Sequence, residues 1–178
     1  MARYVALLGS INVGGNRLKM ADLVTALEGA GFVNVATVVA SGNVLFEHAR
    51  AGDAKLGEEI AQLLQERFAI KSFVAVRTRD EVRSAIEDNP FNGDGEDKFV
   101  HSIFLDRQPT QEAFDALLAE HRGKGSERLA LGPRVLYLDY VHGAGVSSLT
   151  GPFLQRRLGV RGTARNMRSL RRILERMD

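Results

Sequence analysis

The sequence predicts an α/β (α+β) protein of two ferredoxin-like plait halves packed together, the second of them incomplete. Three observations carry this expectation. Short apolar and β-branched runs alternate with longer runs whose apolar residues recur every three or four positions, the patterns of strands and amphipathic helices. The elements between Arg3 and Arg77 follow the order βαββαβ, the split βαβ arrangement. Those from Phe99 onward follow βαββα, the same arrangement short of its final strand.

Each element has a local reason. Tyr4–Leu8 is an unbroken apolar run, so the first strand is expected over Arg3–Gly9. Met20, Leu23, Val24 and Leu27 share one helical stripe, which places a helix over Met20–Ala30, stopped by Gly31. Asn34–Ala40 and Val44–Glu47 read as strands joined by the tight turn Ser41-Gly42-Asn43. Leu56, Ile60, Leu63, Leu64 and Phe68 fall on one face of a helix over Asp53–Phe68, and Ser72–Arg77 is a fourth strand. The third helix, Arg79–Glu87, ends before Asn89-Pro90, because proline biases the preceding residue away from helix.

The second half opens after a polar loop, Asn92–Lys98. Phe99–Asp106 is a strand, and Gln111–His121 a helix with Phe114, Leu117 and Leu118 inward. Arg128–Leu131 and Arg134–Tyr140 form a hairpin about Gly132-Pro133. A loop over Val141–Leu149, a short helix near Pro152–Leu158 and a last helix near Ala164–Met177, with Thr163 as its cap, complete the chain. The boundary between halves is expected within Phe91–Lys98, giving residues 1–90 and 91–178.

Composition narrows the function classes. There are no cysteines among the 178 residues, which excludes disulfides, thiolate chemistry and cysteine-ligated metal or iron–sulfur sites. The N-terminal apolar run is too short for a signal peptide, and no run is long enough to span a membrane. The expected setting is cytoplasmic, with no membrane partner. The net charge of +2 is unevenly spread. Residues 151–178 carry eight arginines against Glu175 and Asp178, so a basic end follows an acidic body.

The most informative segment is Ile11-Asn12-Val13-Gly14-Gly15-Asn16, between the first strand and the first helix. Two adjacent glycines and two asparagines tolerate left-handed backbone and expose N–H groups. Such a loop is either a structural turn with an asparagine capping the helix, or a cradle for an anion at a helix start. The spacing from Gly9 to Asn16 resembles a phosphate-binding P-loop, but Gly15 stands where the essential lysine belongs. Ordinary triphosphate hydrolysis is thereby excluded as the leading reading. Strands one and two of a split βαβ plait run parallel, so the Gly-rich loop and the Ser41–Asn43 turn leave the same end of the sheet. The candidate ligand-binding residues are therefore Asn12, Gly14, Gly15, Asn16, Lys19, Ser41 and Asn43, with Arg165 and Asn166 as an addition from the C-terminal helix. The expected ligand is a small molecule bearing phosphate or carboxylate.

No catalytic residue is identifiable. His48, His101, His121 and His142 show neither metal-ligand spacing nor a Ser-His-Asp pattern, so no metal and no cofactor is implied. His101, inside an apolar strand, reads as a hydrogen-bonded core or rim residue. Asp94, Glu96 and Asp97 lack the alternating ligands of a calcium loop and read as a solvated acidic loop. The last helix carries Met167, Leu170, Leu174 and Met177 on one face and Arg165, Arg168, Arg172 and Arg176 on another. That pattern is either a docked helix with a solvated face or a nucleic-acid contact, although the strands lack an RNA-binding aromatic signature. A non-catalytic interaction module is the remaining alternative.

In combination, YVALLGSINVGGN, KMADL, GF followed by NV, SGNVLF, NPF, the LYL strand and GTARN resemble the bacterial domain-of-unknown-function family 1697 over nearly the whole chain. The resemblance implies an α/β protein of ferredoxin-like plaits with no established activity, substrate or cofactor. The family pattern usually reads Leu-Leu-Arg-Gly-Ile-Asn-Val-Gly-Gly and, near the C-terminus, Asn-Trp. Here Gly9-Ser10 stands in place of the Arg-Gly pair and Asn166-Met167 in place of Asn-Trp. Any site lined by that Arg and Trp is altered in this chain.

Overall fold

A computed structural model describes residues 1–9, 17–39, 42–50 and 53–178. The described chain forms two compact units, Met1–Arg83 with Arg171–Asp178, and Ser84–Leu170. Each holds one four-stranded antiparallel sheet.

The first unit contains β1 (Ala2–Leu8), α1 (Met20–Gly29), β2 (Val33–Thr37), β3 (Asn43–His48), α2 (Asp53–Phe68) and β4 (Val74–Thr78), with sheet order β2-β3-β1-β4. Strand period sets the core. Tyr4, Ala6 and Leu8 of β1, Val44 and Phe46 of β3, and Val74 and Val76 of β4 share one buried cluster with Leu23 and Leu27 of α1 and Leu56, Ile60 and Leu64 of α2. The ring of Phe46 stacks on Tyr4 and meets Phe32 edge-on, with centroids 5.6 and 5.0 Å away. α2 lies close against β4: a Cβ on Gly57 would sit 2.7 Å from the carbonyl oxygen of Val74. A bulge between Val33 and Ala36, where Asn34 takes φ 51°, bends β2 against β3.

The second unit contains β5 (Val100–Leu105), α4 (Gln111–His121), β6 (Arg128–Gly132), β7 (Val135–Asp139), a 3-10 turn (Ala144–Val146), α5 (Gly151–Leu158) and β8 (Gly162–Asn166), with sheet order β6-β7-β5-β8. The two sheets thus share one permutation. Ile103, Leu105, Leu136 and Leu138 pack with Phe114 and Leu117 of α4 and Leu154 and Leu158 of α5. Thr110 caps α4 by accepting from the Ala113 N–H at 3.1 Å, and Thr150 caps α5 by accepting from Phe153 at 3.3 Å. The unit boundaries fall inside α3 (Arg79–Glu87) and α6 (Met167–Arg176).

The expected α/β plaits are present, with one correction. The second plait is complete: residues 162–166, expected as a loop and the start of the last helix, form β8 against β5. The reason is local as well as tertiary. The helical apolar stripe starts at Met167, and the Asn166 side chain caps α6 by accepting from the Ser169 N–H at 2.9 Å. Thr163 is accordingly a strand residue and not a cap; its Oγ1 accepts from Arg165 Nη1 at 2.9 Å.

Candidate functional site

The described residues that flank the expected loop and turn lie at the end of the first sheet where β1 finishes. Leu8 N–H donates to the Gly42 carbonyl at 2.8 Å, and Gly9 N–H donates to Phe73 O at 2.9 Å. Ser72 Oγ donates to the Gly9 carbonyl at 2.5 Å. The end of β1, the turn between β2 and β3, and the approach to β4 are therefore joined by backbone. Gly42, at φ 93°, takes a conformation that disfavours a side chain, and Val39 at φ 50° shares the strain of the turn.

Of the residues expected there, Asn12, Gly14, Gly15, Asn16 and Ser41 lie outside the described residues. Lys19 immediately precedes α1 in extended backbone, with an exposed side chain. Its carbonyl accepts from the N–H groups of Asp22 and Leu23 at 3.1 and 3.2 Å. Lysine has no acceptor, so the Lys19 side chain does not cap α1. Buried Leu18 anchors the segment in the core, so Arg17 and Lys19 flank it as exposed cations. Asn43 is buried, and its Nδ2 donates to Val39 O at 3.5 Å, closing the turn. These groups can hold negative charge. Acid–base chemistry would need a residue they do not include.

Arg165 and Asn166 belong to the second unit, at the end of β8. Arg165 Nη1 donates to Thr163 Oγ1 at 2.9 Å and to Ala164 O at 2.8 Å. Burial lowers its guanidinium to about 10, which leaves it charged at neutral pH. Asn166 caps α6 and its Nδ2 reaches Lys98 O at 3.5 Å. On α6 itself, Arg168, Arg171, Arg172 and Arg176 are exposed.

Two polar clusters in the second unit escaped the sequence reading. Buried Asp139 accepts from Arg128 Nη2 at 2.6 Å and from Val141 N–H at 2.9 Å, while Arg128 also pairs with Asp94 and lies 4.7 Å over the Phe91 ring. One member of the acidic loop therefore holds a structural partner. In the other cluster, Ser147 Oγ donates to Glu127 Oε1 at 2.8 Å, and Glu127 Oε2 faces His121 Nε2 at 3.3 Å. Burial pushes the Glu127 carboxyl up, but its own N–H, the Ser147 hydroxyl and the charges of His121 and His142 outweigh burial and hold it below its usual range. The order is Ser–Glu–His, with the carboxylate in the middle. Nucleophile activation requires the imidazole next to the serine, so this cluster ties the loop to α4 rather than forming a triad. His101 is the hydrogen-bonded residue expected, its Nδ1 3.0 Å from Phe99 O and its ring edge-on to Tyr140. The pairs Arg128–Asp139, Arg128–Asp94 and Ser147–Glu127 join residues 11, 34 and 20 positions apart, so no local signal marks them.

Among the described residues, no group of three or more His, Asp or Glu is arranged to hold a metal ion, and no helix is long and apolar enough to cross a membrane. Comparison with solved structures finds the conserved bacterial protein SP0830 from Streptococcus pneumoniae, with a TM-score of 0.72 over 99% of this chain and 98% of that one. At 20% identity, that likeness concerns the fold alone. No curated protein matches the chain. The family model described as a protein of unknown function, DUF1697, matches residues 1–137, which is most of the sequence, and the chain belongs to that family.

Proposed function

We propose that the protein binds a small ligand bearing phosphate or carboxylate where β1, the β2–β3 turn and the start of α1 meet. The observation that carries this reading is the hydrogen bond from Leu8 N–H to Gly42 O, which ties the base of the Gly-rich loop to the base of the Ser41 turn. The start of α1 and the exposed side chain of Lys19 add to it, since a helix N-terminus and a lysine both favour an anion. In this reading the N–H groups of Gly14, Gly15 and Asn16 with Lys19 hold the charged group. Asn12, Ser41 and Asn43 supply polar contacts around it.

A thermal-shift titration of the full chain with inorganic phosphate, sugar phosphates, nucleotides and small dicarboxylates tests this. One of these anions is expected to give a saturable rise in Tm that survives added salt and is lost in Asn12→Ala and Lys19→Ala. If both variants retain the wild-type affinity, the site is elsewhere. The second reading is nucleic-acid contact through α6, favoured by its four exposed arginines with Glu175 as the one acid within the helix. It predicts RNA affinity that falls steeply with salt and drops in Arg168→Ala/Arg172→Ala. Affinity insensitive to salt and to both substitutions would refute it.

A further inference from the structure

The two plaits have equivalent edge strands, β4 beside β1 and β8 beside β5. Register makes the equivalence residue by residue. Leu8 pairs with Val74 and Ala6 with Val76 in the first sheet; Leu105 pairs with Gly162 and Ile103 with Ala164 in the second. In the first plait, the two valines fill the space between helix and edge strand and are buried in the core. In the second, Ala164 is too short to fill that space beneath α5, while Gly162 lies tight against β5, where an added Cβ would meet Ile103 and Leu105 at 2.8 and 2.9 Å. The result is an apolar cavity of about 110 Å³ lined by Leu105, Leu154, Leu158, Val160, Gly162 and Ala164, among others. Ala164 is exposed at its mouth. The Tyr140 hydroxyl, the one phenol on the wall, is already committed to Leu149 O at 3.2 Å.

Gln155 and Val160 also line an adjoining open cleft of about 550 Å³, so the cavity and the cleft share a wall. The cleft is bordered by Arg107, Arg156 and Arg161 against the single carboxylate of Asp106. Two of these arginines have structural partners. Arg107 Nη2 donates to the Gly159 carbonyl at 2.5 Å, and Arg161 Nε donates to Asp106 at 3.2 Å. Arg156, in the last turn of α5, is exposed and has no ion-pair partner among the described residues.

We propose that this is a second binding site, for a small amphiphilic anion. A short alkyl chain lies in the cavity beneath α5, and its carboxylate reaches Arg156 in the cleft. Size limits the apolar part: the cavity is smaller than the roughly 150 Å³ of an engineered apolar cavity that admits benzene. Charge selects the head group, since three guanidinium groups face one carboxylate, and a neutral chain of equal length gains nothing from them. The site is independent of the anion site proposed at α1.

The test uses the full chain with three probes: hexanoate, 1-hexanol and acetate. Hexanoate is expected to raise Tm saturably and to shift the methyl resonances of Leu154, Leu158 and Val160. Acetate at equal concentration, lacking the chain, does neither. Arg156→Ala weakens hexanoate about tenfold and leaves 1-hexanol unchanged, as loss of one charge-assisted contact requires. Ala164→Leu, which fills the mouth from its exposed side, abolishes the binding of both. Lys19→Ala has no effect on either. The assignment is overturned if acetate matches hexanoate, if no probe binds, or if Lys19→Ala removes hexanoate binding. Should Ala164→Leu fail to fold, the methyl shifts of the wild-type protein decide: perturbation outside the α5 cavity also overturns it.

Discussion

Gly57, in the middle of α2, sets two opposed effects against each other. Replacing a helix-interior glycine by alanine normally stabilises a helix by about 1 kcal/mol, because the unfolded chain loses freedom. Here the new methyl would lie 2.7 Å from the backbone carbonyl oxygen of Val74. Val74 pairs with Leu8 in the β1–β4 ladder, so that oxygen is not the end of a flexible side chain and α2 must move instead. Overpacking of this kind costs typically 1–3 kcal/mol. The steric effect wins, and Gly57→Ala should destabilise by about 1 kcal/mol. Gly29, the last residue of α1, is the control: a Cβ there meets nothing within 4 Å, so Gly29→Ala should be neutral to stabilising by up to about 1 kcal/mol. Urea unfolding followed by far-UV circular dichroism measures both, with equal m values required for the comparison. In a thermal scan the Gly57 effect corresponds to a fall of about 2–4 °C for a chain of this size. A Gly57→Ala protein more stable than wild type would refute the claim that α2 rests on the β4 backbone.

Two further outcomes follow from the second plait. Asn166→Ala removes the side-chain acceptor for Ser169 N–H and should cost about 1 kcal/mol, read as a lower urea midpoint; Thr163→Ala should not reproduce that loss of α6 helicity. Burial holds the His101 pKa below its ordinary 6.5 despite the Phe99 carbonyl and the Asp139 charge. The unfolded chain then binds more protons than the native one between the two values, so stability rises with pH across that window and falls as pH drops below about 6.5. Urea midpoints from pH 5 to 7.5 should slope this way in the wild type and less in His101→Leu; identical slopes would remove His101 as the cause.

Much of the architecture is legible in the amino-acid order. The bounds of α2, α3 and α4 follow from apolar residues spaced three and four apart and from the stop signals after them, which are local properties. The βαββαβ order of the first plait is read from the same signals, and Leu8, at the end of β1, bonds to Gly42, just before β3. β8 was not legible. Gly162-Thr163-Ala164-Arg165-Asn166 has neither β-branched density nor a clean alternation, and it is a strand because β5 offers it a free edge.

The same distinction divides the candidate sites. A glycine-rich loop announces itself, because its composition differs from the strand and helix beside it. The hydrogen bond from Ser72 to Gly9 does not, since 63 residues separate the partners. The slot beneath α5 is further still from the sequence, because it is made by what is missing. Ala164 becomes a gap only once register sets it opposite Ile103, where the first plait sets Val76 opposite Ala6. Local propensity and periodicity determined which segments are helices and most of the strands. Which small residues leave a cavity, and which arginines border it, depends on strand pairing between distant segments, and only the tertiary structure decided that.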